Sequence, residues 1–317
     1  MKKILLVKTS SLGDVVHNLP VASDIRAAVP GAEIDWVVEE SFAAIPRLHS
    51  AVTRVLPVAI RRWRSGFLRS DTRAEIGNFM RELKRSSYDA VIDTQGLLKS
   101  AWVAWIARGT RHGLDFASAR EPLSFFYDRT YAVPWAMHAV ERNRTLASRA
   151  LGYALPITID YGISTPRAKF VWLPDKGYVV LAHATSARAK LWPVERWIEI
   201  SMRLRELGVR SVLPWGNTAE RLRAEEVARP VRGAVVTPGL SLSDLASVLA
   251  GASAVAGVDT GLTHLAAALK VPTVGIYCAT DPAATGLHGS ARAVNLGGRK
   301  APPSALDVLT ALKGIMA

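Results

Sequence analysis

The segment Asp259–His264, with the sequence D-T-G-L-T-H, has the composition of a phosphate or diphosphate site. It follows the apolar run Ala254–Val258, which is typical of a buried strand, and overlaps Leu262–Lys270, which has the composition of a helix. A strand that leads through small residues into a helix directs several backbone N–H groups and the positive helix end toward one point. Thr260 and His264 are four residues apart and share a helix face there. An ordinary capped turn is the alternative interpretation.

A loop near the start of the chain offers a candidate general base. Asp14 follows the β-rich run Lys3–Lys8, so it would stand at the carboxyl edge of a first strand. Ligands of open α/β sheets bind at that edge, and a carboxylate there could accept a proton. Ser11 and Asp14 also have the S-x-x-D spacing of a helix capping box, which leaves a structural role for Asp14 open.

Further polar residues follow strands of the second half. Thr185 and Ser186 offer hydroxyl donors after the predicted strand Tyr178–His183. Lys190, in the same loop, offers a point charge for phosphate, although a solvated lysine is the alternative. Glu220 lies one helical turn beyond a later strand. A carboxylate there could hold the two hydroxyls of a ribose, as the acidic residue of dinucleotide folds does.

Several familiar motifs are missing from the sequence, and this narrows the chemistry. The chain has no G-x-G-x-x-G, no G-x-x-x-x-G-K-[ST], no H-E-x-x-H and no Cys/His cluster, so NAD, P-loop and zinc sites lack support. It has no D-x-D pair either, so we expect no cofactor and no metal. Lys190 and the helix start at Gly261 could neutralise a leaving diphosphate instead.

The composition indicates a globular protein with an anionic partner. The formal charge of the 317 residues is +13 at pH 7. The single cysteine, Cys278, suits a reducing compartment. No stretch approaches the roughly 20 apolar residues that span a bilayer, and the first residues are not apolar for long enough to predict a signal peptide. Arg61, Arg62 and Arg64 surround Trp63, which predicts contact with phosphates or a membrane interface; a solvated basic loop is the alternative.

Strand and helix patterns alternate in both halves of the chain. This alternation predicts parallel sheets with right-handed crossovers. The pattern lapses around Leu151–Gly177, so we predict two domains, 1–160 and 161–317, with a cleft between them. The apolar segment Leu97–Ala107 should form a helix whose Trp102 and Trp105 lie in the core.

Eight segments spread over nearly the whole chain resemble the lipopolysaccharide heptosyltransferase I family, within glycosyltransferase family 9. They are Lys8–Asp14 with His17, Trp36–Glu40, Pro57–Arg64, Asp93–Leu97, Ala119–Pro122, His138–Arg142, Leu213–Gly216 and Val258–His264. The D-T-G-x-x-H motif alone would indicate only the wider heptosyltransferase family. Their collinear occurrence makes the resemblance specific.

The resemblance implies a GT-B glycosyltransferase, with two Rossmann-like α/β/α domains facing a cleft. The first domain would bind the acceptor, Kdo2-lipid A, and the second the donor, ADP-L-glycero-β-D-manno-heptose. The enzyme would move L-glycero-D-manno-heptose to the inner Kdo with inversion. It would work as a peripheral protein at the cytoplasmic face of the bacterial inner membrane, against an anionic membrane surface.

The family pattern also implies residue roles. Asp14 would be the base, and Lys190 would act at the donor phosphates. The donor-binding residues would be Thr185, Ser186, Lys190, Glu220, Leu240, Asp259, Thr260, Gly261 and His264. The acceptor-binding residues would be Lys8, Arg61, Arg62, Arg64 and Arg120. Two positions depart from the pattern, because Ser186 replaces a threonine and Leu240 stands where relatives often carry Met.

Two other functions remain open. A heptosyltransferase II would add heptose to heptose, but the basic segment Arg61–Arg64 favours the first type. A non-catalytic nucleotide- or lipid-binding module could keep the same fold. Nucleic acid is not an expected partner, because the chain carries no RNP motif or zinc finger.

Overall fold

The computed structural model describes residues 2–175 and 177–316. These residues form two compact units, unit 1 and unit 2, which divide between Ile163 and Ser164. Each unit contains a six-stranded sheet in which all pairs of neighbouring strands are parallel. After Lys3, the strand β1 (Lys3–Val7) is a continuous apolar run, because strands of a parallel sheet are buried on both faces.

The elements of unit 1 follow one another in a strand-and-helix alternation. They are β1, α1 (Leu12–His17), α2 (Leu19–Ala28), β2 (Glu33–Glu39), α3 (Ala44–Arg47), β3 (Val52–Val58), α4 (Ile60–Ser65), α5 (Ser70–Lys84), β4 (Ser87–Asp93), α6 (Leu98–Ile106), β5 (Arg108–Leu114), β6 (Arg129–Tyr131) and α7 (Ala139–Leu151). Two 3₁₀ turns, Glu40–Phe42 and Ser124–Phe126, lie in the connections.

Unit 2 repeats the alternation. Its elements are β7 (Tyr178–Ala182), α8 (Val194–Glu206), β8 (Arg210–Leu213), α9 (Thr218–Ala228), β9 (Val235–Val236), α10 (Leu242–Gly251), β10 (Ala254–Val258), α11 (Gly261–Ala268), β11 (Thr273–Tyr277), α12 (Pro282–Thr285), β12 (Ala293–Gly297) and α13 (Ala305–Met316). A 3₁₀ turn, Arg188–Lys190, precedes α8.

The strand order of both sheets is that of a dinucleotide-binding fold. The first sheet runs β3-β2-β1-β4-β5-β6 and the second β12-β11-β10-β7-β8-β9. Counted within its own unit, each sheet therefore has the order 3-2-1-4-5-6. The order reverses between β1 and β4 and between β7 and β10. The predicted α/β architecture with parallel sheets is confirmed, and these two switch points are where a ligand is expected.

Most predicted elements are present. Pro20 is compatible with α2 because it lies in the first turn, where the missing N–H would have no partner within the helix. Two predictions differ from the structure. The prediction for Trp105 is wrong, because its side chain is 59% exposed on α6, whereas Trp102 packs against the core. The strand β5 escaped prediction because its first four residues are polar or glycine and are not buried.

Candidate active site

Asp259, just after β10, contacts three side chains: His264 of the next helix and the more distant Lys190 and Thr280. Its Oδ2 lies 2.7 Å from Lys190 Nζ and accepts a hydrogen bond of 2.7 Å from Thr280 Oγ1. Its Oδ1 lies 3.2 Å from His264 Nε2. We call these four residues the Asp259 cluster. The structure thus brings the D-T-G-x-x-H segment and the loop after β7 to the switch point of the second sheet.

The hydrogen bonds of the Asp259 cluster keep its carboxylate ionised. Burial alone would raise the pKa of Asp259, but the hydrogen bonds from His264, Lys190 and Thr280 outweigh burial and hold the pKa well below its usual value. An ionised Asp259 orients the ammonium of Lys190 and the ring of His264. The cluster is therefore a preorganised arrangement of one anion with donors around it.

The turn after Asp259 leaves the first turn of α11 without a side-chain cap. Thr260 is the N-cap residue, with extended backbone angles, and its hydroxyl makes no capping hydrogen bond. Because Asp259 binds Lys190, His264 and Thr280, the capped-turn interpretation does not describe this site. The N-terminal amides of α11, beginning at Gly261, and the positive helix end suit an anion.

Gly257 lets α11 pack closely on the sheet. A Cβ at this position would lie 2.1 Å from Thr263 Oγ1 and 2.8 Å from Ala182 Cβ. The Thr263 hydroxyl is buried there and donates to the Val258 carbonyl oxygen at 2.7 Å. The small residue in the strand and this hydrogen bond together fix where α11 begins.

The other predicted donor residues follow β7, β8 and β9. Thr185 Oγ1 donates to the backbone oxygen of Asp259 at 3.3 Å, and Ser186 is exposed beside it. Glu220, in the first turn of α9, accepts a hydrogen bond of 2.7 Å from the Gly216 amide. Leu240 is half-buried and precedes α10. Thr280 was missed, although its position beyond β11 would have indicated it.

In unit 1, Lys8 is buried at the switch point between β1 and β4. Its Nζ donates to the Thr94 carbonyl oxygen at 2.7 Å and to Asn143 Oδ1 at 3.3 Å. Burial lowers the pKa of Lys8, although the charges of Asp14 and Asp93 oppose the shift. The hydrogen bonds of Lys8 therefore link the ends of β1 and β4 to α7.

Asp14 takes part in a capping box, and its role as general base stays a prediction. Its Oδ2 accepts hydrogen bonds from the Ser11 amide at 2.7 Å and the Ser11 hydroxyl at 2.9 Å, completing the acidic half of a capping box. Asp14 also lines a cavity of about 230 Å³ at the switch point, which we call the Asp14 cavity. Its other lining residues include Lys8, Ser11, Arg120, Arg142 and Asn143. The same carboxylate therefore belongs to the helix cap and to the cavity lining.

Gln95, Lys99, Arg142 and Asn143 belong to this region and were not predicted as site residues. Gln95 Oε1 accepts hydrogen bonds of 3.1 Å from the amides of Thr9 and Ser10, and Lys99 Nζ donates to the Ser10 hydroxyl. The position of Gln95 just after β4 could have indicated it. Nothing in the local pattern of α7 indicated Arg142 or Asn143.

The arginines of α4 occupy three different environments. Arg62 is paired with Glu40 at 3.1 Å and with Glu75 at 2.8 Å, so its charge is already matched. Arg61 lies over the Phe42 ring, 5.3 Å from its centroid, and Arg64 is exposed. Arg62 lines a second cavity along α4 and α5, of about 530 Å³, whereas Arg120 lines the Asp14 cavity.

The interfacial role predicted for Trp63 is wrong. Its ring is buried and packs against Phe79, with 5.8 Å between the centroids. Its Nε1 donates to Glu75 Oε2 at 2.9 Å, which satisfies the polar end of the indole. Trp63 therefore anchors α4 to the core rather than facing a membrane.

Comparison with known proteins connects this geometry to a family. Residues 76–307 match the family model described as glycosyltransferase family 9 (heptosyltransferase). The chain belongs to this family. The lipopolysaccharide heptosyltransferase 1 of Pseudomonas aeruginosa is 49% identical over 298 residues, covering 93% of this chain and 83% of that protein. The predicted glycosyltransferase activity is confirmed, and the enzyme is a heptosyltransferase.

Two solved structures are similar over almost the whole length. The E. coli heptosyltransferase WaaC with ADP has a TM-score of 0.90 and 42% identity, covering 99% of both chains. The same enzyme with ADP-2-deoxy-2-fluoro heptose has a TM-score of 0.86 and 41% identity, covering 98% of this chain and 99% of that one. The predicted GT-B fold is confirmed.

Neither a membrane span nor a metal-binding cluster is found in residues 2–175 and 177–316. The helices there are too short or too polar to span a bilayer. In the same part of the chain, no three or more His, Cys, Asp or Glu side chains are grouped so that they could hold a metal ion.

Proposed function

We propose that this heptosyltransferase moves L-glycero-D-manno-heptose from ADP-heptose to the inner Kdo of Kdo2-lipid A, with inversion at the anomeric carbon. The observation that carries the proposal is the Lys190–Asp259 pair of 2.7 Å beside the start of α11. It supplies a cation and helix amides at one switch point, which is the chemistry that a diphosphate needs.

The donor would bind in unit 2 along the carboxyl ends of the strands. Lys190, the α11 amides from Gly261 onward, Thr260 and His264 would hold the diphosphate and the heptose. Thr185 and Ser186 would add hydroxyl donors at the phosphates. Glu220 would bind the ribose, and Leu240 would line the adenine pocket. Lys190 would neutralise the leaving ADP without a divalent metal.

Asp14 would be the general base of a single displacement. The Kdo hydroxyl oxygen forms a bond to the anomeric carbon while its proton passes to the Asp14 carboxylate. The bond from that carbon to the diphosphate oxygen breaks, and its electron pair leaves with ADP. The transition state has oxocarbenium character, so holding the base, the carbon and the leaving group in line supplies much of the acceleration.

The acceptor would bind in unit 1 and bring the enzyme to a membrane. Lys8 and Arg120 line the Asp14 cavity and would meet the acidic Kdo sugar. Arg61 and Arg64 would meet the lipid A phosphates, whereas Arg62 would have to exchange its present carboxylate partners first. A net charge of +13 favours peripheral binding to the anionic cytoplasmic face of the inner membrane.

An acceptor exchange tests the proposal. Purified enzyme with ADP-heptose is offered either Kdo2-lipid A or the same acceptor already carrying one heptose, and products are identified by mass spectrometry. We expect one heptose to be added to Kdo2-lipid A. Transfer to the heptosylated acceptor alone would identify a second-heptose enzyme and overturn the proposed acceptor.

A further inference from the structure

Arg142 places a guanidinium in the Asp14 cavity without a counter-ion. Its Nη2 donates to the Ser118 carbonyl oxygen at 3.3 Å, and its Nε is buried without a hydrogen-bond partner. Burial lowers the pKa of Arg142, and no carboxylate among the described residues opposes this shift. The side chain is half-buried, and a cation partly withdrawn from water is stabilised when an anion joins it.

The structure holds this guanidinium in a fixed position. Its central carbon lies 3.7 Å from the centroid of the Trp135 ring, which is stacking distance for a cation over an indole. Arg142 belongs to the beginning of α7, where its amide donates to the His138 carbonyl oxygen at 2.9 Å. The next residue, Asn143, accepts the hydrogen bond from Lys8. Arg142 and Asn143, which are adjacent in α7, therefore both line the Asp14 cavity.

The charges around the Asp14 cavity are unbalanced. Lys8, Arg120 and Arg142 line it together with one carboxylate, that of Asp14. Lys8 and Arg142 are near enough for the arginine charge to lower the pKa of the lysine. Lys8 and Arg142 repel each other, and an oxyanion bound in the Asp14 cavity would relieve this repulsion.

We propose that Arg142 binds the carboxylate of the acceptor sugar and so selects an acidic sugar and turns its hydroxyl toward Asp14. This inference rests on the proposed function, in which Kdo is the acceptor and Asp14 the base. The planar fork of arginine matches a carboxylate with two parallel hydrogen bonds. Arg142 would then be a specificity-determining contact for the transfer reaction.

The size of the cavity favours a sugar carboxylate over a lipid A phosphate as the source of the oxyanion. Its volume of about 230 Å³ is below the range of roughly 300–1,000 Å³ typical of pockets for drug-sized ligands and suits one sugar ring. The carboxylate of Kdo is attached to the ring that carries the reacting hydroxyl. The phosphates of the lipid belong to other rings.

The test combines one substitution with one change of acceptor. Arg142→Met keeps an unbranched stem against Trp135 and removes the charge. Wild-type and variant enzymes are assayed with a water-soluble Kdo glycoside and with its carboxamide. Arg149→Met, on the exposed side of the same helix, is the matched control. ADP-heptose affinity and thermal unfolding are measured for each protein.

We expect wild-type kcat/KM to fall by about 10- to 100-fold when the carboxylate becomes a carboxamide, on the scale of a charge-assisted hydrogen bond. Arg142→Met should lose a similar factor on the carboxylate acceptor and little more on the carboxamide, because both changes remove the same contact. Donor affinity and thermal stability should remain at wild-type values, and Arg149→Met should behave as wild type on both acceptors.

Three results would overturn the inference. Equal losses for Arg142→Met on both acceptors would indicate a structural role. A defect seen with lipid A acceptors but absent after their phosphates are removed would assign the arginine to a phosphate. A wild-type enzyme that uses neither the Kdo glycoside nor Kdo2-lipid A would instead refute the proposed function and remove the basis of this assignment.

Discussion

The Asp14 side chain takes part in a helix cap and also lines a cavity. Asp14 Oδ2 accepts hydrogen bonds from both the backbone amide and the hydroxyl of Ser11. The sequence could not decide between a cap and a base because the S-x-x-D spacing satisfies both requirements. In the structure the cap fixes the orientation of the carboxylate, which is useful for a base that must meet a hydroxyl in a defined direction.

Asp14→Asn separates the two roles. An asparagine oxygen can still accept from Ser11, so the start of α1 should be kept, whereas the ability to take up a proton is lost. We expect transfer to fall by about 10²-fold or more, with near-normal ADP-heptose affinity. Turnover is measured with saturating substrates and affinity by calorimetry. A variant that turns over at the wild-type rate would exclude Asp14 as the base.

Lys190→Met tests the diphosphate contact. Removing a charge-assisted hydrogen bond costs about 1.5–3 kcal/mol, so the affinity for ADP should weaken by roughly 10- to 150-fold. Arg188→Met removes the same charge from an exposed position in the same 3₁₀ turn and is the control. Calorimetric titration with ADP gives both values. Equal weakening in the two variants would mean that ADP senses only the general charge of unit 2.

At the scale of elements, apolar patterns in the sequence predict the positions of strands well. They do not predict which polar side chains contact one another. The run Ala254–Val258 was predicted residue for residue, because a buried parallel strand leaves a continuous apolar pattern. The helix α7 has no such uniform pattern, since it buries Asn143 and Arg144 as well as apolar residues. The partners that make these polar groups tolerable, such as Asp24 at 2.7 Å from Arg144, come from distant parts of the chain.

Gly257→Ala tests the contact between β10 and α11. The new methyl group would overlap Thr263 Oγ1 and crowd Ala182, and such overpacking costs about 1–3 kcal/mol of folding stability. Gly298→Ala is the control, because nothing lies within 4 Å of its added Cβ. Urea unfolding followed by fluorescence gives the free energies.

Adding Thr263→Ala should restore part of the stability lost by Gly257→Ala, since it removes the overlapping oxygen. If the two substitutions instead destabilise additively, the steric explanation is wrong.

At the scale of the whole molecule, the exposed aromatic side chains are unevenly distributed. All five large exposed aromatics among the described residues belong to unit 1: Phe67, Trp105, Phe116, Phe125 and Trp135. The total charge predicts an anionic partner, whereas the prediction that Trp63 lies at an interface is wrong because its ring is buried. The burial of Trp63 results from the packing of α4 on α5, where its ring contacts Phe79. Such tertiary contacts cannot be predicted from the local sequence.

The connection between α4 and α5 is the segment we expect to insert into a bilayer. Phe67 and Leu68 are 62% and 82% exposed there, next to the basic helix α4. Phe67→Ser/Leu68→Ser should weaken sedimentation with phosphatidylglycerol vesicles about tenfold or more, because it removes two apolar side chains from the interface.

Leu306→Ser, at an equally exposed leucine of unit 2, is the control and should bind vesicles as the wild type does. Turnover on a deacylated, water-soluble acceptor should be normal in all three proteins. Unchanged sedimentation of the double variant would show that this segment does not enter the lipid.

The ion pair between Lys190 and Asp259 also has a consequence for product release. Because Asp259 lies 2.7 Å from the lysine, a nucleotide bound as proposed would compete with this carboxylate and gain less than from an unopposed ammonium. After transfer, Lys190 would return to Asp259 as ADP departs. We therefore expect the ion pair to weaken product binding and to favour product release.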